Sequence, residues 1–180
     1  MANIKKEDWI NCAITELKLH GHQAISPSKL ATCLGVTRGS FYHHFQSSSA
    51  FSRAVLLEWV SRNTEQGFDS AEKNSLTEVE KLEKVMEFAW SSDAELEVAV
   101  REWATVSEEA KQCVAKTDEK RLSELTRLYQ SVAKSEQKGS SMAKIAFYGL
   151  RGALHSNPPL SQDELQSLIL EIQNFMLSSL

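Results

Sequence analysis

The chain has 180 residues, 42% of them hydrophobic and 24% charged, enough apolar material for a packed core and against wholesale disorder. Its 7 Gly and 3 Pro are too few turn formers for a many-stranded sandwich or barrel. The net charge of −4 is uneven: residues 1–62 carry seven basic side chains (Lys5, Lys6, Lys18, Lys29, Arg38, Arg53, Arg62) against four acids (Glu7, Asp8, Glu16, Glu58), so the acidic surplus lies in the rest. A basic head on an acidic body is the pattern of a polyanion-binding module.

The longest stretch without a charge, Gly39 to Ser52, is polar and too short to span a bilayer, so no membrane partner is expected. Lys5, Lys6, Glu7 and Asp8 occupy the place where a signal peptide would need apolar residues, and the expected location is the cytoplasm. Cys12, Cys33 and Cys113 are odd in number and widely spaced. They form no disulfide framework or metal motif and are expected to be small buried hydrophobes.

In chain order, Ile10, Ala13, Ile14 and Leu17 recur at the i, i+3, i+4, i+7 spacing of an amphipathic helix, which Gly21 ends. Ser26 is placed to cap a second, short helix with Pro27 at its first position; Leu30, Ala31 and Leu34 form its apolar side, and Gly35 stops it. Thr37 then caps a third short helix running to about His44. Ser47 to Ser49 offer the next cap, before a longer helix with Phe51, Val55, Leu56, Trp59 and Val60 on its apolar face. A linker is expected near Gly67 to Asn74, where apolar periodicity lapses.

Capping boxes are read at Ser75 with Glu78, Ser92 with Glu95, and Ser161 with Glu164. Ser107, followed by two acids, starts a long helix carrying Leu122, Leu125, Leu128, Tyr129 and Val132, which Gly139 and its serine neighbours are expected to break. A helix from about Met142 to His155 follows, and Pro158-Pro159 separates it from a last one, Asp163 to about Ser178. No stretch alternates with period two for long enough to propose a strand. The predicted fold is all-α with about nine helices.

The informative run is Ser26 to Phe51, SPSKLATCLGVTRGSFYHHFQSSSAF. Two short helices joined by a tight Gly-containing turn are the geometry of a helix-turn-helix, whose second helix presents its N-terminal residues to base edges in the major groove. Those residues are Thr37, Arg38, Gly39 and Ser40. Gly39 has no side chain to obstruct close backbone approach. Phe41 and Phe45, four apart, face the core and leave Arg38, Tyr42 and His43 accessible. His43 and His44 are adjacent and point to different sides of a helix, so they do not share a metal ion; no metal and no cofactor are expected.

The run Leu30-Ala31 … Leu34-Gly35-Val36-Thr37-Arg38-Gly39-Ser40-Phe41-Tyr42-His43-His44-Phe45 closely resembles the TetR family of bacterial repressors, over about residues 5–52. A segment of the body, Glu95 to Ala104, resembles some branches more weakly. The resemblance implies an all-α homodimer with a three-helix DNA-binding head, residues 1–50, and a six-helix effector-binding and dimerisation body, residues 51–180. It implies base contacts from Thr37, Arg38, Ser40 and His43, phosphate contacts from Tyr42 and His44, and a backbone contact from Ser28. The family usually carries a Lys just after the last aromatic; here Gln46-Ser47-Ser48-Ser49 is uncharged. Ser48 and the helix N-terminus are left to meet phosphate, with weaker electrostatic anchoring.

In the body, Phe88, Trp90, Trp103, Tyr129 and Phe147 either line a pocket for a small-molecule effector or fill the core, as any helical body requires. Arg101 and Arg121 are expected on a solvated or ion-paired surface. Small residues (Ala143, Ala146, Gly149, Gly152, Ala153) on one helix and a broad apolar stripe (Leu165, Leu168, Ile169, Ile172, Phe175, Met176) on the last one suit either packing within one chain or a four-helix interface between two copies. No phosphate loop, metalloprotease motif or nucleophile with a placed base is present, so an enzyme is not expected. The function expected is a sequence-specific transcriptional regulator, a repressor released from an inverted-repeat operator by a small molecule. The alternative is a helical dimeric interaction protein that keeps the helix-turn-helix shape without binding DNA.

Overall fold

The computed structural model describes residues 4–178, and of Leu177 only the backbone. Ten α-helices follow one another: α1 Lys6–His20, α2 Pro27–Cys33, α3 Arg38–His44, α4 Ser48–Val60, α5 Gln66–Asn74, α6 Glu78–Ser91, α7 Ala94–Ala104, α8 Glu108–Val132, α9 Glu136–Leu154 and α10 Gln162–Ser178. A π-helical turn, Ser61–Glu65, joins α4 to α5 without a break, so these make nine separate helical rods, besides a short 3-10 turn at His22–Ala24. No strand occurs among the described residues. The fold is all-α, as the periodicity predicts, and no helix among the described residues is long and apolar enough to cross a membrane.

Packing divides the chain into two units. The first comprises Met1–Ser61 and Glu95–Val114, the second Arg62–Ala94 and Ala115–Leu180. In the first, Trp9, Ala13, Ile14 and Leu17 of α1 meet Leu30 of α2, Phe41 of α3, Phe51, Val55 and Trp59 of α4, and Leu96, Val100 and Trp103 of α7. Each large side chain removed from water here contributes about 1.5–3 kcal/mol. This core also encloses charge. Glu97 and Arg101, one turn apart on α7, are both buried and paired at 2.7 Å, and the Trp59 indole donates to Glu97 Oε2 at 2.9 Å. Arg101, expected at the surface, is inside because Glu97 accompanies it.

The second unit is built on Leu82, Val85 and Met86 of α6, Leu125, Leu128 and Tyr129 of α8, Met142, Ala146 and Phe147 of α9, and Leu165, Ile169 and Met176 of α10. Arg121 of α8 donates to the Thr64 hydroxyl at 2.8 Å and to the Asn63 carbonyl at 3.0 Å, both in the π-helical turn. The wider turn disrupts the regular α-ladder, and the guanidinium takes up a carbonyl there.

Several local expectations are corrected. The stretch Gly67 to Asn74 is helix α5, not a linker; its inward residues, Gly67 and Ala71, are small and escape a hydrophobicity pattern. Gly67 is required because a Cβ there would fall 2.2 Å from the Phe88 ring. Gly139 lies inside α9 rather than breaking a helix: α8 stops at Val132, Ser135 caps α9 by accepting from Lys138 N, and a Cβ on Gly139 would meet the Gln130 backbone at 2.7 Å. The capping of α6 shifts two residues along, with Thr77 accepting from Glu80 N and Glu80 accepting from Leu76 N. Ser92 turns its hydroxyl back to the Ala89 carbonyl instead of capping α7. The Ser161–Glu164 box forms in full, with both reciprocal bonds. Cys33, expected buried, is exposed.

Candidate nucleic-acid interface

The helix-turn-helix is set by its turn. Gly35 N–H bonds the Thr32 carbonyl at 3.2 Å and Val36 N–H the Ala31 carbonyl at 2.9 Å, the paired bonds of a Schellman ending. Gly35 sits at φ +66°, a left-handed conformation in which a Cβ is strained. Ser26 and Thr37 occupy the N-cap positions of α2 and α3, but neither side chain makes the capping bond. Of the helices α2 to α4, α4 has the hydroxyl cap, with Ser47 accepting from Ala50 N at 3.0 Å.

Aromatic packing fixes the roll of α3. Phe41 is wholly buried and stands edge-on to Trp9 at 5.4 Å and to Phe51 at 5.2 Å, while Phe45 packs on Phe51 at 4.7 Å. With these two rings held inward, the rest of α3 must face out. Thr37, Arg38, Gly39, Tyr42 and His43 are exposed, and Ser40 and His44 half-buried; Ser28 on α2 and Ser48 at the start of α4 are exposed too. The sequence-named contact residues therefore all belong to the first unit, on α2, α3 and the entry to α4. Arg38 does not extend freely: its Nη2 donates to the Tyr42 hydroxyl at 3.2 Å. Lys6, at the start of α1, places its ammonium 5.4 Å from the centre of the Phe45 ring. That puts a cation beside the end of α3, near the uncharged Gln46 to Ser49, a neighbour that sequence order did not reveal.

Between α1 and α2, Cys33 Sγ lies 3.8 Å from Glu16 Oε1. Burial, then a hydrogen bond and charge from Cys33, then the Glu16 charge push the Cys12 thiol up to about 12. Such a thiol stays protonated and unreactive at neutral pH.

The aromatic residues named for an effector do not assemble as a set. Trp103 is in the core of the first unit, whereas Phe88, Trp90, Tyr129 and Phe147 belong to the second. Tyr129 is fully buried and its hydroxyl has no hydrogen-bond partner among the described residues; burial raises its ionisation above the ordinary range. The Trp90 indole N–H is likewise buried without a partner. The second unit also has a cleft of about 210 Å³ lined by Phe68, Lys81, Val85, Lys120, Arg127 and Leu128 among others, and none of the five aromatics lines it. Of the residues named for a dimer interface, Ala146, Ala153, Leu165, Ile169 and Met176 are buried within the unit itself, and Gly149, Leu168 and Ile172 are half-buried. Among the described residues, the large apolar side chains that α9 and α10 leave exposed are instead Ile145, Tyr148, Leu170 and Phe175.

An all-α chain with an early helix-turn-helix is a recurrent architecture, and comparison with solved structures identifies which one. A TetR-family transcriptional regulator from Streptomyces coelicolor superposes with a TM-score of 0.80 at 16% identity, covering 96% of this chain and 94% of the other. A TetR transcriptional regulator from Legionella pneumophila gives 0.74 at 17% identity, with 99% and 100% covered, and a transcriptional regulator from Rhodococcus gives 0.73 at 16%, with 97% of each covered. The fold of this chain is the TetR-family fold. No family model and no curated protein matches its sequence.

Proposed function

We infer that the chain is a sequence-specific DNA-binding transcriptional regulator, acting as a homodimer and as a repressor that a small molecule releases from its operator. The observation that carries this reading is the outward row of Ser28, Thr37, Arg38, Tyr42 and His43 on a helix-turn-helix whose roll is locked by Phe41 and Phe45. The TetR-family fold supports it. Residues 1–50 would carry the DNA contacts, residues 51–180 the effector and the second copy, and the place of action is the cytoplasm. The exposed Ile145, Tyr148, Leu170 and Phe175 support a dimer through α9 and α10. Within the body, the unpartnered Tyr129 hydroxyl and Trp90 indole are the groups that favour an effector bearing hydrogen-bonding atoms. A two-fold dimer presents two copies of α3 to two half-sites, so the operator is an inverted repeat with half-sites about one DNA turn apart or a multiple of it.

The test is a fluorescence-anisotropy titration of the protein on duplexes from the DNA upstream of its own gene, against scrambled duplexes of equal length. Tight binding to one duplex, weakened by Arg38→Ala at a cost of about 1–3 kcal/mol, is the expected result. With Arg38 the single strongly basic side chain on α3, affinity should fall less steeply with salt than for a lysine-rich head. Equal, weak affinity for every duplex would overturn the reading and favour a helical interaction protein.

A further inference from the structure

Arg38 and Tyr42 stand one helical turn apart on α3, and both are exposed. Besides the 3.2 Å hydrogen bond from Nη2 to the tyrosine hydroxyl, the guanidinium carbon lies 5.9 Å from the centre of the Tyr42 ring, within the range of a cation–π contact. The ring is itself held: it stands edge-on to Phe41 with centroids 5.3 Å apart and an interplanar angle of 85°. Phe41 is fully buried. A line of contacts thus runs from the core, through two rings, to the end of a side chain that would otherwise sample many rotamers. Among the described residues, no carboxylate pairs with Arg38.

We propose that Tyr42 is a positioning residue for base recognition: it holds the Arg38 guanidinium in a fixed orientation, so that sequence preference belongs to the pair. The proposal rests on the DNA-binding reading above. A guanidinium carries five N–H donors in one plane. One given to Tyr42 leaves enough to bridge O6 and N7 of a guanine. The tyrosine oxygen accepts from Arg38, so its own proton remains free for a phosphate oxygen, and the two bonds polarise each other. Holding the arginine before DNA arrives also lowers the ordering cost of binding. A hydroxyl serving phosphate alone would, on removal, weaken every sequence equally. A hydroxyl that also orients Arg38 would lower discrimination at one base pair in each half-site.

The experiment begins with selection by the wild-type protein from a random duplex library. Affinities are then measured for the selected site and for each single base-pair change, using wild type, Arg38→Ala, Tyr42→Phe and the double variant. Tyr42→Phe should lower discrimination at the same base pair as Arg38→Ala, by roughly 2- to 10-fold, the size of one hydrogen bond. In the Arg38→Ala background it should change discrimination no further. Uniform weakening with discrimination retained, or additive effects of the two changes, would overturn the positioning role and leave the DNA-binding reading intact. Failure of the wild type to enrich any sequence would overturn both. Tyr42→Phe keeps the ring against Phe41, so its melting temperature should match wild type; a lowered Tm together with general loss of binding would assign Tyr42 a structural role instead.

Discussion

The two units bury similar sets of apolar side chains but differ in what they leave outside. In the first, the exposed large hydrophobics are Leu19, Tyr42, Leu57 and Val106, scattered over α1, α3, α4 and the turn after α7. In the second, Leu76, Val79 and Leu160 are scattered in the same way, but Ile145 and Tyr148 sit one turn apart on α9 and Leu170 and Phe175 lie on α10, and these two helices pack on each other. Isolated exposed apolar residues are ordinary on any surface, whereas a cluster on adjoining helices marks a face meant to be covered. One unit scatters its exposed apolar residues. The other holds four of them on two packed helices, where the proposed dimer would cover them.

The units also treat charge differently, and this gives the most forceful way to probe the first. Glu97 and Arg101 are 4% and 8% exposed, with Trp59 bound to the same carboxylate. Glu97→Ala strands a buried guanidinium and leaves the indole N–H unpaired, so it should destabilise the protein by about 3–5 kcal/mol, measured as a fall in the urea midpoint. The double change Glu97→Leu with Arg101→Met should recover much of that loss, because an apolar pair of similar volume removes both desolvation penalties. Equal losses in the single and double variants would show that α7 depends on the charges themselves.

A milder intervention tests the α9 and α10 face of the proposed dimer. Tyr148→Glu and Phe175→Glu place carboxylates on side chains that are 54% and 74% exposed in the single chain. They should leave its melting little changed yet convert a dimer to monomer in sedimentation, since a carboxylate buried between copies is costly. An unchanged dimer would move the interface elsewhere.

The smallest effect lies at the start of α10. Hydrogen bonds from the Ser161 backbone and hydroxyl hold the Glu164 carboxyl below its usual range. A carboxyl lowered on folding stabilises the protein above its ordinary pKa, and the contribution is lost as pH falls through the folded value. Ser161→Ala removes one of these bonds and should therefore lower stability slightly at neutral pH, a deficit that shrinks as pH falls through the folded value, so the acid limb of the stability–pH curve becomes slightly flatter. The group is fully exposed, so solvent limits the effect.

Much of the first unit was legible because its constraints are local. Gly21 and Gly35 end helices in the way glycine permits, and Phe41 and Phe45 announce the inward side of α3 by their spacing. Trp9 was missed as the partner of Phe41, because its register precedes the Ile10–Leu17 pattern by one residue. In the second unit the decisive facts are contacts between helices. Gly67 under Phe88, and Gly139 against the α8 backbone, read from sequence as breaks, since composition cannot distinguish a glycine that ends a helix from one that lets two helices touch. Sequence shows a run of small residues on α9 and a broad apolar stripe on α10, but it does not separate an inner set, Ala146, Leu165 and Ile169, from an outer set, Ile145, Leu170 and Phe175. The Arg38–Tyr42 bond follows from the four-residue spacing, which sequence supplies, and from the roll of α3, which only packing reveals.

The first unit is assembled from two separated stretches of chain, and this bears on the order in which the protein is made. The Trp59 indole waits for Glu97, 38 residues later, and Arg53 for Glu109, 56 residues later. Leu96, Val100, Trp103 and Ala110 complete the core around α1 and α4. A ribosome that has released only the first 61 residues has therefore delivered α1 to α4 without the apolar cover behind them. Although synthesis favours early folding of N-terminal domains, this head closes only after the chain has gone through α5 and α6 and returned. A gene fragment encoding residues 1–61 alone would carry the helix-turn-helix on an open core, prone to aggregation, and α7 with the first turns of α8 is the missing cover.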